Sequence, residues 1–239
     1  MRAAALLLLC ALPWQAWAAE PPPLRFIAPL NHAMPFGGFE NDKLTTGIVK
    51  DLSDTLAERI GRRAEYLSVP PRRVAQVLAA GEADGVCYVA QDWIDGKFHW
   101  SPPVLEHIGV VAARPQAPPL LSLDDLAGVP VGTVHAYRYP ELEEVLGKRF
   151  IRDDAPSMLI NLRKLAAKRT NYALTEQITL EFHNKQHPQD GLRAALPTMR
   201  YRTHCAFTLA HKLPLEQLDQ AAREMVRDGS VERILARYR

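Results

Sequence analysis

Short apolar runs alternate with amphipathic segments along the chain after residue 20. Residues 24–30, 64–69 and 84–90 are apolar runs of the length and composition that predict strands. Between them, residues 47–60 and 73–80 place apolar side chains at helical spacing. A strand-helix-strand-helix-strand order predicts a parallel sheet with helices packed on it.

The same alternation begins again in the second half of the chain. The predicted strands are 107–113, 130–134, 172–174, 192–196 and 205–210, and the predicted helices are 140–146, 156–168 and 176–183. A C-terminal helix places Leu215, Leu218, Ala222, Met225 and Val226 on one apolar face and is followed by a last short helix. Two successive α/β patterns predict two lobes, each of ordinary domain size.

The first 19 residues have the pattern of a targeting signal rather than of a folded element. A positive start at Met1-Arg2 precedes an apolar run over 3–12, which is too short to cross a bilayer, since that needs about 20 residues. Residues 16–18 read Ala-Trp-Ala and supply the small side chains of a cleavage site. The alternatives are a buried N-terminal helix or a membrane anchor. We expect a cleaved signal peptide over 1–19 and a monomeric protein exported to the periplasm.

Charge and motifs exclude several classes of function. Lys and Arg total 29 against 27 Asp and Glu, and a net charge of +2 gives no dense cationic face for nucleic acid or an anionic membrane. The chain contains no zinc-binding pair of the CxxC or HExxH type, no phosphate-binding loop and no Gly-x-Ser-x-Gly turn. We therefore expect neither a metal nor a cofactor.

Six short motifs occur in the order and spacing of one known family. They are Met34-Pro35-Phe36, Gly47-x3-Asp51-Leu52, Leu78-x2-Gly81-x2-Asp84-Gly85, Trp100-Ser101-Pro102-Pro103, Asp125-Leu126-x-Gly128-x2-Val131-Gly132 and Asp228-Gly229-Ser230-x3-Ile234-x3-Tyr238. Together they make the chain similar to the periplasmic solute-binding proteins of ABC transporters, specifically the amino-acid-type family 3. The resemblance covers nearly all of the chain after the signal peptide.

The resemblance implies an α/β, two-lobed fold of the type II periplasmic binding protein kind, in which two Rossmann-like lobes are joined by two crossing strands. Lobe I would comprise 20–108 and 205–239, and lobe II 109–204, with the crossings near 105–112 and 200–207. A small polar ligand, an amino acid or a related amine or carboxylate, would be held between the lobes. It would be delivered to a membrane permease.

One motif of the family is missing. Amino-acid binders of this kind usually have Thr-x-x-Arg after the third strand, whereas residues 90–95 here contain no arginine. Arg73, and with less support Arg72, resembles an arginine that opens the second helix in another branch of the family. A guanidinium at a helix N-terminus suits an anionic group. The alternative is a solvated arginine on an exposed turn.

The other predicted ligand contacts lie in both lobes. Glu176 occupies the place of the acid that receives the ligand's ammonium in the family, although an acid in a first helical turn also interacts favourably with the helix dipole. Thr133, His135 and Tyr137 belong to a loop suited to polar groups. Aromatic walls are predicted from Phe36 and Trp93, for which core packing is the alternative.

Two further classes of function remain open. Some proteins of this fold are enzymes, such as periplasmic cyclohexadienyl dehydratases, and Glu176 or His135 would then serve as an acid or base. A ligand-sensing receptor subunit would bind a similar ligand and differ only in its partner. No nucleophile-base pairing is evident from the spacing of the eight histidines. We expect binding without catalysis.

Cys87 and Cys205 are the two cysteines left after removal of the signal peptide. In the fold that the resemblance implies, the returning strand at 205–210 lies beside the third strand at 84–90. We predict a disulfide between them, because the periplasm is oxidising. The alternative is a pair of buried free thiols.

Overall fold

A computed structural model describes residues 20–135 and 137–239, so the predicted signal peptide lies outside the described residues. The first group of elements is β1 (Leu24–Pro29), β2 (Gly38–Glu40), β3 (Lys43–Thr46), α1 (Ile48–Arg59), β4 (Ala64–Val69), α2 (Val74–Ala79), β5 (Gly85–Val89) and β6 (His99–Trp100). The second is β7 (Leu105–Ala113), β8 (Pro130–Val134), α3 (Pro140–Leu146), β9 (Ile151–Ala155), α4 (Met158–Ala166), β10 (Tyr172–Glu176) and α5 (Gln177–Gln186). Strand β11 (Arg193–Phe207) and helices α6 (Leu215–Arg227) and α7 (Ser230–Ala236) complete the chain. Across these described residues, no helix combines the length and apolar character that a bilayer span requires.

The main sheet has the strand order β4-β1-β5-β11-β7-β10-β8-β9. Strand β1 is parallel to β4 and β5, and β8 is parallel to β9 and β10, as expected when helices connect successive strands. Strand β11 lies between these groups and is antiparallel to both β5 and β7. The result is the mixed α/β architecture that the sequence predicts, with two lobes joined through crossing strands.

The returning strand is longer than the sequence pattern indicates. Separate strands were expected at 192–196 and 205–210, but β11 is one strand of 15 residues. It is continuous because its first part pairs with β7 and its last four residues pair with β5. The change of partner falls between Thr203 and His204, inside the range predicted for the second crossing. The other connection, residues 101–104, immediately precedes β7.

The buried face of helix α6 agrees with the predicted apolar face at all but one of the residues compared. Leu218, Ala222 and Met225 are buried at 0–1% exposure, as their spacing predicts. Val226 was expected on the same face but is 49% exposed. It follows Met225 directly, and one residue along a helix turns the side chain by about 100°. Burial of this face, at roughly 1.5–3 kcal/mol for each large side chain, fixes α6 to the first lobe.

Cys87 on β5 and Cys205 on β11 are paired residues in the antiparallel ladder, with Cα atoms 3.9 Å apart. The structure joins them by a disulfide across 118 residues of sequence. Both residues are buried. The bridge therefore fixes β5 to the crossing strand two residues beyond the point where β11 changes partner.

Candidate ligand-binding cleft

Glu176 lies at the point where the two lobes meet. It is the last residue of β10, one residue before the helical turn in which the sequence placed it, and it is 2% exposed. Its Oε1 accepts hydrogen bonds from the hydroxyls of Tyr88 and Tyr201, the latter at 2.5 Å. Nδ1 of His107 lies 3.1 Å from Oε2. Because Tyr88 belongs to β5 and Glu176 to β10, the carboxylate links the two lobes.

The electrostatics keep this carboxylate charged. Burial alone would raise the pKa of Glu176, but His107 and the hydrogen bonds from Tyr201 and Tyr88 lower it below its ordinary value. Burial raises the pKa of Tyr88 and of Tyr201 well above the usual range, so both hydroxyls remain protonated donors. The site thus carries a negative charge at neutral pH. Oε1 accepts two hydrogen bonds from the protein, whereas the buried Oε2 has no hydrogen-bond partner among the described residues.

Aromatic rings surround Tyr88. Its ring stacks on Phe36 with centroids 4.1 Å apart and an interplanar angle of 18°. The rings of His32, His107 and Trp93 meet it edge-on at 5.3, 5.0 and 5.8 Å. Such offset and edge-to-face contacts are the favourable geometries for aromatic pairs. Tyr88 is therefore the centre of an aromatic cluster that closes over Glu176.

The loop that carries Phe36 is fixed by the start of α1. The backbone N–H of Ile48 donates to the carbonyl of Pro35 at 2.9 Å, and that of Val49 donates to the carbonyl of Phe36 at 3.0 Å. Gly47 permits this approach, since it has φ +120° and a Cβ there would lie 2.5 Å from the Phe36 carbonyl oxygen. The glycine that opens the first helix thereby positions an aromatic wall of the cleft.

A cavity of about 20 Å³, roughly the space of one water molecule, adjoins Tyr88. Asn31 and Tyr137 both line it, and the Asn31 Nδ2 donates to the Tyr137 hydroxyl at 3.2 Å. Ser157 at the N-terminus of α4 and Thr179 on α5 complete its polar lining. Among the described residues, the buried Asn31 Oδ1 and Thr179 Oγ1 have no hydrogen-bond partner. This corner of the cleft therefore offers polar atoms to a bound group.

A second cavity, of about 240 Å³, borders Glu176 and His107. The start of β7, helix α5 and the C-terminal residues Leu235 and Arg239 form its other walls. Arg239 is held there by Glu181, with the guanidinium 3.5 Å from the carboxylate. Glu176 therefore lines the larger cavity, whereas Tyr88, its hydrogen-bond partner, lines the smaller one.

The structure brings three of the predicted contacts together: Phe36, Glu176 and Tyr137 line the cleft. Trp93 lies at its rim, 51% exposed, with its ring 5.5 Å from that of Tyr201. Thr133 is buried, and its hydroxyl donates to Asp154 at 2.5 Å.

The remaining predicted contacts lie farther out. His135 has 72% of its side chain exposed and lies 3.9 Å from Asp154. Arg73 is exposed on a short 3-10 turn after β4, next to exposed Arg72, and neither lines the two cavities. A ligand contact by Arg73 stays a prediction.

Sequence reasoning did not find the ring-bearing residues His32, Tyr88, His107 and Tyr201, nor the polar residues Asn31, Ser157 and Thr179 of the small cavity. His107 and Tyr201 are paired residues on β7 and β11, so a correct alignment of the two crossing strands would have placed them together. Tyr88 carries no such signal, because all five residues of β5 are buried and no alternation marks one side of the strand. Within residues 20–135 and 137–239, no group of three or more His, Cys, Asp or Glu side chains is placed to hold a metal ion.

Comparison with known proteins shows the fold. No protein-family model matches the chain. No curated protein sequence matches it either. Many solved structures do, among them an ancestral arginine-binding protein bound to arginine, 20% identical, with a TM-score of 0.73 over 90% of this chain and 97% of that one.

Two further similar structures extend the comparison. A histidine kinase sensor domain with similarity to periplasmic binding proteins is 18% identical, with a TM-score of 0.72 over 90% of this chain and 95% of that one. An ancestral amino acid-binding protein, a precursor of cyclohexadienyl dehydratase, is 15% identical, with a TM-score of 0.73 over 90% and 95%. The chain has the two-lobed type II periplasmic binding protein fold, as its sequence predicts.

Proposed function

We propose that the protein is a periplasmic solute-binding protein, which captures a small amine-bearing ligand between its lobes and delivers it to an ABC transporter permease. The observation that carries this proposal is the buried, charged Glu176 carboxylate at the surface where the lobes meet. A carboxylate enclosed by aromatic rings suits an ammonium group, since ring faces attract cations and a charge-assisted hydrogen bond is strong. Amino acids and related amines are the ligands with this chemistry.

The proposal is tested by a ligand panel and one pair of variants. Thermal shift with amino acids, amines, carboxylates and dipeptides identifies a ligand, because one present at 100 times its Kd adds about 2.7 kcal/mol to stability. Glu176→Gln should then weaken binding of that ligand about ten- to a hundredfold. Glu58→Gln, an exposed acid on α1, serves as the matched control and should leave binding unchanged. Equal affinities of Glu176→Gln and the control would contradict the proposal.

A sensor role is the second candidate. The supporting observation is that the lobes meet through the protein's own side chains, Tyr88 and Glu176, so that contact between lobes does not by itself need a ligand. The similarity in fold to a histidine kinase sensor domain is consistent with this role. Deletion of the gene distinguishes the two: loss of ligand uptake supports transport, whereas intact uptake with a lost transcriptional response supports sensing.

We further propose binding without turnover. His107 and Glu176 form a buried pair that has the chemistry of an acid and a base. However, the donors to Oε1 are the hydroxyls of Tyr88 and Tyr201, and their raised pKa values make both poor proton donors to a substrate. Incubation with prephenate or arogenate should give no aromatic product by absorbance, and product formation would favour the dehydratase alternative.

A further inference from the structure

Tyr88 makes the contacts that a bound ligand would be expected to make. Its hydroxyl donates to Glu176 across the lobes, and its ring stacks on Phe36 and meets three other rings edge-on. We propose that Tyr88 is an internal occupant of the binding site, so that a ligand binds by replacing its phenol. This inference rests on the proposed function, which places the ligand at Glu176.

The backbone conformation of Tyr88 indicates that the surrounding structure holds this side chain in place. Tyr88 has φ +63°, a conformation that is rare for a bulky residue and persists only where the surroundings determine it. The preceding residue, Cys87, is bridged to β11, so β5 is held in place at this point. The ring contacts hold the other end. The chain thus places a phenol against the carboxylate despite an unfavourable backbone conformation.

The shape and chemistry of the Tyr88 side chain define the class of ligand that could replace it. The space around Tyr88 accepts a flat six-membered ring between Phe36 and the edges of His32 and His107, with a hydrogen-bond donor directed at Glu176. The ligands that fit this space in place of the side chain are small phenols and aromatic amines. Their apparent affinity is reduced because the competent, vacated state is a fraction of the population.

The direct test supplies the missing side chain as a free molecule. In Tyr88→Gly, glycine tolerates the positive φ, and p-cresol is the tyrosine side chain itself. Titration calorimetry should show p-cresol binding to Tyr88→Gly at least tenfold more tightly than to the wild type. Toluene, which lacks the donor for Glu176, should bind Tyr88→Gly at least tenfold more weakly than p-cresol. Equal p-cresol binding by a folded Tyr88→Gly and the wild type would overturn the inference.

A second variant decides the question if Tyr88→Gly does not fold. Tyr88→Phe removes only the hydroxyl that anchors the ring, and tyramine should bind it about tenfold more tightly than the wild type. Tyr172→Phe is the matched control, because its hydroxyl donates to the carbonyl of Pro118 in the second lobe. Unchanged tyramine affinity in Tyr88→Phe would also refute the inference. If Glu176→Gln still binds tyramine about ten- to a hundredfold more weakly than the wild type, the proposed function survives that failure.

Discussion

His107 and Tyr201 are directly paired on the two crossing strands, with their rings stacked at a centroid distance of 5.1 Å and an interplanar angle of 20°. Both side chains contact Glu176. All three residues lie in the part of the sheet built on β7, so they move together when the lobes separate. Of the side chains that contact Glu176, Tyr88 alone lies on a strand, β5, that is not paired with β7. Opening of the cleft would therefore remove one donor from the carboxylate and leave two in place.

Tyr201→Phe should shift the pH dependence of ligand binding. Tyr201 is one of the groups that lower the pKa of Glu176, so its loss raises that pKa, and the carboxylate becomes protonated at higher pH. A hydrogen bond to a charged group contributes about 1.5–3 kcal/mol, which corresponds to a shift of roughly one pH unit or more. The acid limb of tyramine binding, measured by calorimetry between pH 4 and pH 8, should move toward neutral pH.

The control for this shift is Tyr172→Phe, which removes a buried hydroxyl that does not contact Glu176. Its acid limb should coincide with that of the wild type. If the Tyr201→Phe limb also stays in place, Glu176 is not the group whose ionisation governs binding.

Arg73 is tested by a matched pair of ligands. Tyrosine and tyramine differ by one carboxylate, so an arginine that holds an anionic group should discriminate between them. If Arg73 contacts the ligand, Arg73→Ala should weaken tyrosine binding about tenfold and leave tyramine binding unchanged. Arg72→Ala, a neighbouring exposed arginine on the same turn, is the control. A tyrosine affinity of Arg73→Ala equal to that of the wild type would show Arg73 to be a solvated surface charge.

The order of elements could be predicted because hydrophobic periodicity follows burial. Helices α1 and α3 and strands β1 and β4 lie where the apolar spacing placed them, within about one or two residues. The β2–β3 hairpin was missed, although its turn carries a recognisable signal. Asn41 and Asp42 both have positive φ, 48° and 59°, as a two-residue type I′ hairpin turn requires. The residues of the turn would have predicted this hairpin, whereas strands of three or four residues are too short for hydrophobic periodicity to reveal.

The cleft could be predicted only in part, because its residues converge from strands that are distant in the chain. Glu176 and Phe36 were found through motifs. The central residue, Tyr88, was not, since nothing in a fully buried strand tells which side chain faces the other lobe. Arg73 was chosen for the position of its motif, whereas the structure leaves it exposed, because the short turn after β4 lies outside both cavities. Convergence across lobes is a tertiary property that local spacing does not encode.

Removal of the disulfide should destabilise the fold without moving the site. The bridge spans 118 residues, and in the chain-entropy model closure of such a loop contributes about 5 kcal/mol through the unfolded state. The double variant Cys87→Ala with Cys205→Ala should lower the midpoint of urea unfolding accordingly. Dithiothreitol should lower the wild-type midpoint and leave that of the variant unchanged. Two titratable thiols in the denatured, unreduced wild type would contradict the bridge.

Stability should fall in mild acid because of His32. Burial lowers the pKa of His32 to about 4, against 6.5 for the unperturbed group, although the charge of Glu176 acts in the opposite direction. Between these two pH values the unfolded chain binds a proton that the folded chain does not, so the free energy of unfolding rises with pH. The contribution of the neutral His32 to the free energy of unfolding is complete above pH 6.5 and is lost progressively below it. Between pH 7.5 and pH 5 the expected loss is about 2 kcal/mol.

His32→Gln isolates this contribution, since glutamine does not titrate. The difference in unfolding free energy between the wild type and His32→Gln, from urea denaturation, should change by about 2 kcal/mol between pH 7.5 and pH 5. The titration of Glu176 acts in the same direction but below its unfolded pKa of 4.5, outside this window, because its folded pKa is lowered. A flat difference curve for His32→Gln would mean that His32 is protonated in the folded protein as readily as in the unfolded chain, and that its edge-on contact with Tyr88 tolerates the charge.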